Sequence, residues 1–483
     1  VEVRECRDWI AGAWRAPSGA LPGWICDANT GEPLLRQVQS TPAALEDALA
    51  AAAALHESGE WCGRAPEQRA EMLLRIAAAL EPRASELAAL ESRCTGVVIA
   101  TNESLAKLAA ATFRAAAEWL SGEEAPPRWS GAHGEVSLLR LPLGPAAVIA
   151  PWNAPAAIAC HKVASALAAG CPVILKPSEF APFCGGLLAE ACAAAELPPA
   201  AFQLLHGAAE CGAALAGDAR IAAVSFTGGL AGGRAVAALC ARDLKPAQLE
   251  LGGNNPLIVL PGADLDAAAD GAVQALITLN GQWCRGLGRL LVHRELAGAL
   301  LEALRQRLAA LRIGSSLDAQ SQLGPLAHEA HRGGVRAAVE ALRQGGGALH
   351  QPKAAPPQGW FHPPTLVSGA PPALCDEEIF GPVATVHEFG DEAEALRLAN
   401  RTPYGLAAYI FGPEERAAQL APRIRAGSVK WNGVGLLGLH PLAPRPAWGL
   451  SGLGDEGTAA SIQFFRGHRV LGAAGPAPQS AHA

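Results

Sequence analysis

No run of about 18–20 apolar residues, the length a membrane-spanning helix needs, occurs in this sequence. Val1 to Trp9 is charged and lacks the apolar region of an export signal. Positive charge is not in excess either: 38 Lys and Arg face 45 Asp and Glu, a formal net charge of −7. That excludes the basic surface expected of a nucleic-acid protein and leaves small molecules and other subunits as partners. Lysine is scarce, confined to Lys107, Lys162, Lys176, Lys245, Lys353 and Lys430. With the abundance of Ala, Gly and Pro this reads as coding bias, so single Ala or Arg choices carry little information. The 12 cysteines form no Cys-x-x-Cys pair, and His and Cys do not cluster at metal-ligand spacing. No disulfide framework and no metal site is expected; reduced thiols point to the cytoplasm.

What is present is a long, apolar chain. Its 483 residues, 50% of them hydrophobic, suffice for a large core and about two to four domains. Residues 41 to 120 read as helical, with apolar residues at helical spacing over Ala44 to Leu55, Pro66 to Leu80 and Arg83 to Cys94. Pro66 stands where a first helical turn tolerates proline. A Pro-rich break at Ala125 to Arg128 precedes a strand over Val136 to Leu141. From Ala146 short apolar strands (Ala147–Ala150, Val173–Leu175, Phe202–Leu205, Ala222–Phe226, Gln248–Leu251) alternate with helices (Ala156–Ala169, Pro182–Ala195, Ala208–Ala216, Leu230–Arg242). This alternation predicts βαβ units and a parallel sheet covered on both faces. A second alternation follows, with strands at Leu257–Leu260, Arg289–His293, Thr385–Phe389 and Ala407–Phe411. Gln344 to Gly359 reads as a loop, and Gly472 to Ala483 as a frayed tail. Two α/β domains are expected, divided near Leu251 to Asn255.

Five segments carry candidate chemistry. Phe226-Thr227-Gly228-Gly229 ends a strand and opens a helix, where free N–H groups suit a phosphate; it also fits a bland glycine-rich turn. Lys176 and Glu179 follow another strand and suit ribose hydroxyls, or form a solvated surface pair. Asn153, after Pro151-Trp152, offers an amide to an oxyanion or a structural turn. Glu250 places a carboxylate in an apolar strand, as a satisfied structural acid or a base of raised pKa. Cys284, in Asn280-Gly281-Gln282-Trp283-Cys284, is by itself most simply a small buried hydrophobe.

Together, in this order and at these separations, the segments resemble the aldehyde dehydrogenase superfamily. The resemblance runs from Asp8-Trp9-Ile10-Ala11-Gly12 to Ser451-Gly452-Leu453-Gly454 and includes Glu377 to Val383 and Tyr404 to Ala407. It implies a variant Rossmann cofactor domain over residues 1–125 and 145–252 and a catalytic α/β domain over 253–450. A small β oligomerisation element would use 126–144 and 455–483, with a C-terminal strand near Ile462 to Phe465, and would build a homodimer or homotetramer. By the same resemblance Cys284 is the nucleophile and Glu250 the base. Asn153 and the Cys284 N–H hold the oxyanion. Lys176 and Glu179 would contact the adenosine ribose, Gly228 and Gly229 the pyrophosphate, and Glu378 the nicotinamide ribose beside Phe380. Trp152, Gly212, Phe226 and Leu251 match cofactor-lining positions. Glu179 would repel a 2′-phosphate, so NAD is expected over NADP.

The departures from the family pattern fall at four places. Gly229 replaces the usual Ser. Pro444-Arg445-Pro446-Ala447-Trp448-Gly449 lacks the usual aromatic and Lys beside the substrate entrance. Ala154 and His161 stand where aromatics are common, which widens the pocket or makes it more polar. His161 is read either as a contact to a polar or anionic substrate group or as a partly exposed bystander. Trp283 and Arg285 flank the nucleophile; Trp283 would stack on substrate or pack at the domain interface. The function implied is NAD-dependent oxidation of an aldehyde to its acid. The alternatives are a CoA-acylating enzyme, against which Glu250 argues, and a non-catalytic relative.

Overall fold

The computed structural model describes residues 3–17, 19–131, 134–435, 440 and 442–473. Two parallel-rich sheets organise the chain. Across the first, the order is Ala13–Arg15, Asp8–Ile10, Phe202–Leu204, Val173–Lys176, Ala146–Ile149, Ala223–Thr227, Ala247–Glu250 and Gly452–Leu453. The five central strands are parallel and the flanking ones antiparallel. Chain order reverses between Ala146–Ile149 and Ala223–Thr227, so the crevice at their carboxyl ends is a topological switch point, where open α/β sheets take ligands. The chain then crosses from Glu250 to Asn255 into a seven-stranded sheet. Its order is Ala348–His350, Thr365–Ser368, Val383–Phe389, Leu287–His293, Asn255–Val259, Ala407–Phe411 and Ser428–Trp431.

Most strands and helices of the first sheet lie within one or two residues of the sequence reading, because strands buried on both faces carry uninterrupted apolar runs. The region read as helical before residue 120 also contains a 23-residue helix, Ile99–Ser121. Two expectations are corrected. Ile462 to Phe465 is not a strand: a helix spans Thr458–Phe464. Ile462 and Phe465, three apart on one helical face, are fully buried in the core around helices Ile99–Ser121 and Pro155–Ala169. The C-terminal strand lies beyond, at Arg466–Gly472, and pairs antiparallel with Gly134–Pro142. The stretch Gln344 to Gly359 is not all loop, since Ala348–His350 pairs with Thr365–Ser368. Gly472 therefore ends a strand; the rest of the tail read as frayed, from residue 474, lies outside the described residues. Among the described residues no helix is long and apolar enough to cross a membrane.

Helix Pro155–Ala169 orients the segment that carries Asn153. It has no side-chain cap of its own. Glu91, fully buried on helix Ala84–Thr95, accepts from the Ala156 N–H at 2.8 Å instead. Burial pushes the Glu91 carboxyl up to about 8, only partly offset by that bond. A carboxyl raised on folding stabilises the fold most below its unfolded pKa, and that contribution is lost as pH rises to the folded value. Glu91→Gln is therefore expected to gain stability over wild type by roughly 2–4 kcal/mol between pH 5 and 8. Melting temperatures of both proteins across that range check it; a difference independent of pH would contradict it.

Candidate active site

The loop that carries Cys284 is held by strain and buried amides. Leu279 and Asn280 are left-handed (φ 52° and 58°), a costly conformation for non-glycine residues. Gly281 continues the turn at φ 76°, and a Cβ there would collide with the Gly381–Pro382 backbone. Asn280 compensates the strain: its Nδ2 donates to the Gly96 and Pro325 carbonyls at 2.6 and 2.8 Å, and its Oδ1 accepts from the Gly324 N–H. Gln282 bridges the Thr95 carbonyl and the Ala327 N–H. Past the nucleophile, Asn255 Nδ2 donates to the carbonyls of Cys284 and Gly286, both at 2.8 Å, and Tyr409 donates to the Arg285 carbonyl.

That frame sets Cys284 Sγ 3.6 Å from Glu250 Oε1, to which it donates. Burial, reinforced by Glu250, pushes the thiol well above its ordinary range. Burial also lifts Glu250 to about 7, with the like charge of Glu456 adding to the rise and Arg285, Lys162 and Arg445 opposing it. Arg285 Nη2 is 3.8 Å from Glu250, while Nη1 donates to Ser428 Oγ at 2.9 Å. Behind Glu250, Lys162 donates to Glu456 at 2.6 Å and Ser225 at 2.8 Å. Burial alone would raise Glu456; Lys162 and Arg445 outweigh it and hold the carboxylate ionised. Asn153 Nδ2 donates to the Gln282 carbonyl at 2.8 Å, which ties this amide to the nucleophile loop and leaves its second N–H free for another acceptor.

The switch-point crevice gathers a second group. Lys176, only 5% exposed, pairs with Glu179 at 3.5 Å, so this is not a solvated surface pair. A Cβ on Gly212 would meet only Ile149 and Lys176, at 3.6 Å or more. Phe226 lays its ring across Gly228 and Gly232, where any side chain would clash with it. Gly229 is the uncapped N-cap of helix Leu230–Arg242, with open space where a side chain would be. Thr227 Oγ1 is buried beside it with no protein partner. An orphan hydroxyl, an open glycine and a free helix N-terminus fit a pyrophosphate. Leu251 is buried against Gly233 in that helix. Glu378 accepts from the Gly253 N–H at 2.9 Å, its carboxyl pushed up to about 8 by burial and by Glu250. Trp152 and Phe380 (φ 57°) meet edge to face at 5.6 Å.

The model of the aldehyde dehydrogenase family matches residues 17–470. The chain belongs to the aldehyde dehydrogenase family. It is 36% identical over 452 residues to a betaine aldehyde dehydrogenase of Cereibacter sphaeroides, covering 90% of each chain. It is 33% identical over 478 residues to a geranial dehydrogenase of Castellaniella defragrans, covering 96% of this chain and 98% of that one. Among solved structures it is similar to betaine aldehyde dehydrogenase of Staphylococcus aureus in complex with NAD+ (TM-score 0.93, 27% identity, 98% and 95% coverage). An NAD-dependent aldehyde dehydrogenase of Sinorhizobium meliloti also matches (TM-score 0.93, 30% identity, 99% and 97% coverage). Its fold is that of the family, with a Rossmann-like cofactor domain and a catalytic domain, and it is an oxidoreductase acting on aldehydes with a nicotinamide cofactor.

In this aldehyde dehydrogenase, Cys284, Glu250, Arg285 and Asn153 converge, and the cofactor-lining candidates share the adjoining crevice. Two expectations change. Trp283 is buried in the core joining helices Ile99–Ser121 and Pro155–Ala169 to the second sheet, so it packs at the interface. His161 is not partly exposed: it is 9% exposed, with Nε2 3.2 Å from Ser461 Oγ and 3.3 Å from Arg445 Nη2. Lys162, Glu456, Asn255 and Gln282 were missed as site residues. Lys162 had a legible signal, the one Lys in a helix of mostly Ala and other apolar residues. Glu456 had none, because its role depends on a contact 294 residues away in sequence.

Proposed function

We propose that this aldehyde dehydrogenase oxidises its substrate with NAD through Cys284, with Glu250 as base. The 3.6 Å contact between Cys284 Sγ and Glu250 Oε1 carries the reading. Glu250 receives the thiol proton, and the thiolate adds to the aldehyde carbon. The Asn153 amide and the Cys284 N–H stabilise the oxyanion of the thiohemiacetal. NAD would be held by the Lys176, Glu179 and Gly229 crevice and would supply the hydride acceptor that oxidation of the thiohemiacetal to the thioester requires. Glu250 releases the thiol proton to solvent and, ionised again, takes a proton from the water that hydrolyses the thioester. A base this close to the nucleophile favours water over a CoA thiol as the acyl acceptor, and the intact Cys284, Glu250 and Asn153 group speaks against a non-catalytic relative.

Residues 1–125 and 145–252 form the NAD-binding unit and 253–450 the catalytic unit. Lys176 and Glu179 hold the adenosine ribose, and Glu179 disfavours NADP by charge. Trp152, Gly212, Phe226, Gly228, Gly229 and Leu251 line the cofactor groove, and Glu378 and Phe380 its nicotinamide end. The three-stranded sheet Arg128–Gly131, Gly134–Pro142 and Arg466–Gly472 exposes Trp129, Val470 and Leu471, and pairs with a second copy in a dimer or tetramer. The enzyme works in the cytoplasm.

Formation of NADH at 340 nm from an aldehyde panel, with acid as product whether or not CoA is added, tests the activity. Gly229→Ser tests the cofactor groove. The backbone there (φ −73°, ψ 158°) accepts serine, and nothing obstructs the hydroxyl. One added hydrogen bond is expected to lower the KM for NAD by about 2- to 10-fold. An unchanged KM would remove Gly229 from the pyrophosphate site.

A further inference from the structure

Two departures from the family pattern, His161 and the Pro444–Gly449 segment, meet beside Glu250. Arg445 pairs across a short antiparallel ladder with Glu456, and the Gly452–Leu453 strand between them registers Gly452 opposite Glu250. Arg445 Nη2 donates to His161 Nε2 at 3.3 Å. Ser461 Oγ reaches the same nitrogen and accepts from Gln248 Nε2. Burial, with the charge of Arg445, depresses His161 to about 3. The ring is therefore neutral, and its partners assign Nε2 as the acceptor. A neutral acceptor fixes the guanidinium without neutralising it.

Nothing else among the described residues neutralises it closely. Glu456 is the nearest carboxylate, at 3.9 Å, and its other oxygen is already taken by Lys162 at 2.6 Å. Arg285 adds a further cation, hydrogen-bonded to Ser428 at 2.9 Å and 3.8 Å from Glu250. Lys162, Arg285 and Arg445 thus face Glu250 and Glu456, a net positive balance even with Glu250 ionised while Glu378, pushed up to about 8 by burial, holds its proton. Of these groups Arg445 has the most open side chain, 35% exposed, whereas Lys162 is fully buried. Ala154, seven residues before His161 at the N-cap of the same helix, is a small buried residue.

We propose that Arg445, positioned by His161, binds a carboxylate at the far end of the substrate, so that the preferred aldehydes are anionic ones. This rests on the reading of Cys284 as the nucleophile that takes the aldehyde end. A guanidinium grips a carboxylate through two parallel N–H donors, whereas a quaternary ammonium needs aromatic faces that Ala154 and Arg445 do not offer and is repelled by Arg445.

The test compares three aldehydes of matched length, ending in a carboxylate, a primary amide or a trimethylammonium group. kcat and KM are measured for wild type, Arg445→Gln, Arg445→Lys and His161→Phe. Wild type is expected to rank carboxylate over amide over trimethylammonium. Arg445→Gln is expected to cut the carboxylate-to-amide ratio of kcat/KM by about 10- to 100-fold, mostly through KM. Arg445→Lys should restore part of the ratio. His161→Phe should lower it less, again through the KM of the carboxylate substrate. Because each variant is scored by its own ratio, partial misfolding does not mimic the result. An unchanged ratio in Arg445→Gln, or a wild-type preference for the trimethylammonium aldehyde, overturns the proposal while leaving the Cys284 chemistry standing. No NADH from any of the three aldehydes with wild type overturns both.

Discussion

Cys284→Ala is expected to reduce NADH formation at least about 10⁴-fold with every aldehyde that wild type accepts. Both chemical steps pass through the sulfur, so neither the oxyanion donors nor bound cofactor compensates for its loss. The change is small sterically, and Asn255 holds this loop through the residue-284 backbone carbonyl, which alanine keeps. Fold and cofactor affinity should therefore survive, and unchanged melting temperature and NAD titration would show it. Cys284 is set apart from the other eleven cysteines by its position, because it alone has a carboxylate at 3.6 Å. A variant retaining more than about one hundredth of wild-type activity would move the nucleophile elsewhere.

Glu250→Gln is expected to lower steady-state turnover by about 10²- to 10⁴-fold, the range of a lost general base. Thioester hydrolysis stalls, so at most one NADH per site should appear before the rate collapses. The wild-type pH profile follows from the same residue. Glu250 sits near pH 7 because burial and Glu456 oppose its ionisation. A base works only when deprotonated, so kcat is expected to rise through about pH 7 and to be lost on acidification. In Glu250→Gln that limb should vanish. Steady turnover of wild-type size in the variant, with the limb intact, would assign the base to another group.

The active-site pieces were legible in the sequence for a local reason. Glu250 breaks an apolar strand, Gly228-Gly229 breaks a strand-to-helix step, and each anomaly is visible within a few residues. What depends on distant contacts was not legible. The left-handed Leu279 and Asn280 are held by carbonyls at residues 96 and 325, far from them in the chain. The segment at Ile462 to Phe465 misled because a short apolar stretch has no length with which to distinguish strand from helix. Its burial against two other helices settles the matter.

The sequence by itself determined the family, the alternating α/β architecture and the candidates for nucleophile, base and oxyanion donor. Local periodicity carries the architecture, and the order of the motifs carries the resemblance that implies those roles, both without any knowledge of packing. Only the tertiary structure decided the state of those groups and of their neighbours. Ionisation depends on burial and on charges brought within a few ångströms, and these come from segments hundreds of residues apart. So it is the fold that raises Glu250 and pairs Lys162 with Glu456. The fold also buries His161, read from the sequence as a substrate contact or a partly exposed bystander, against Ser461 and Arg445.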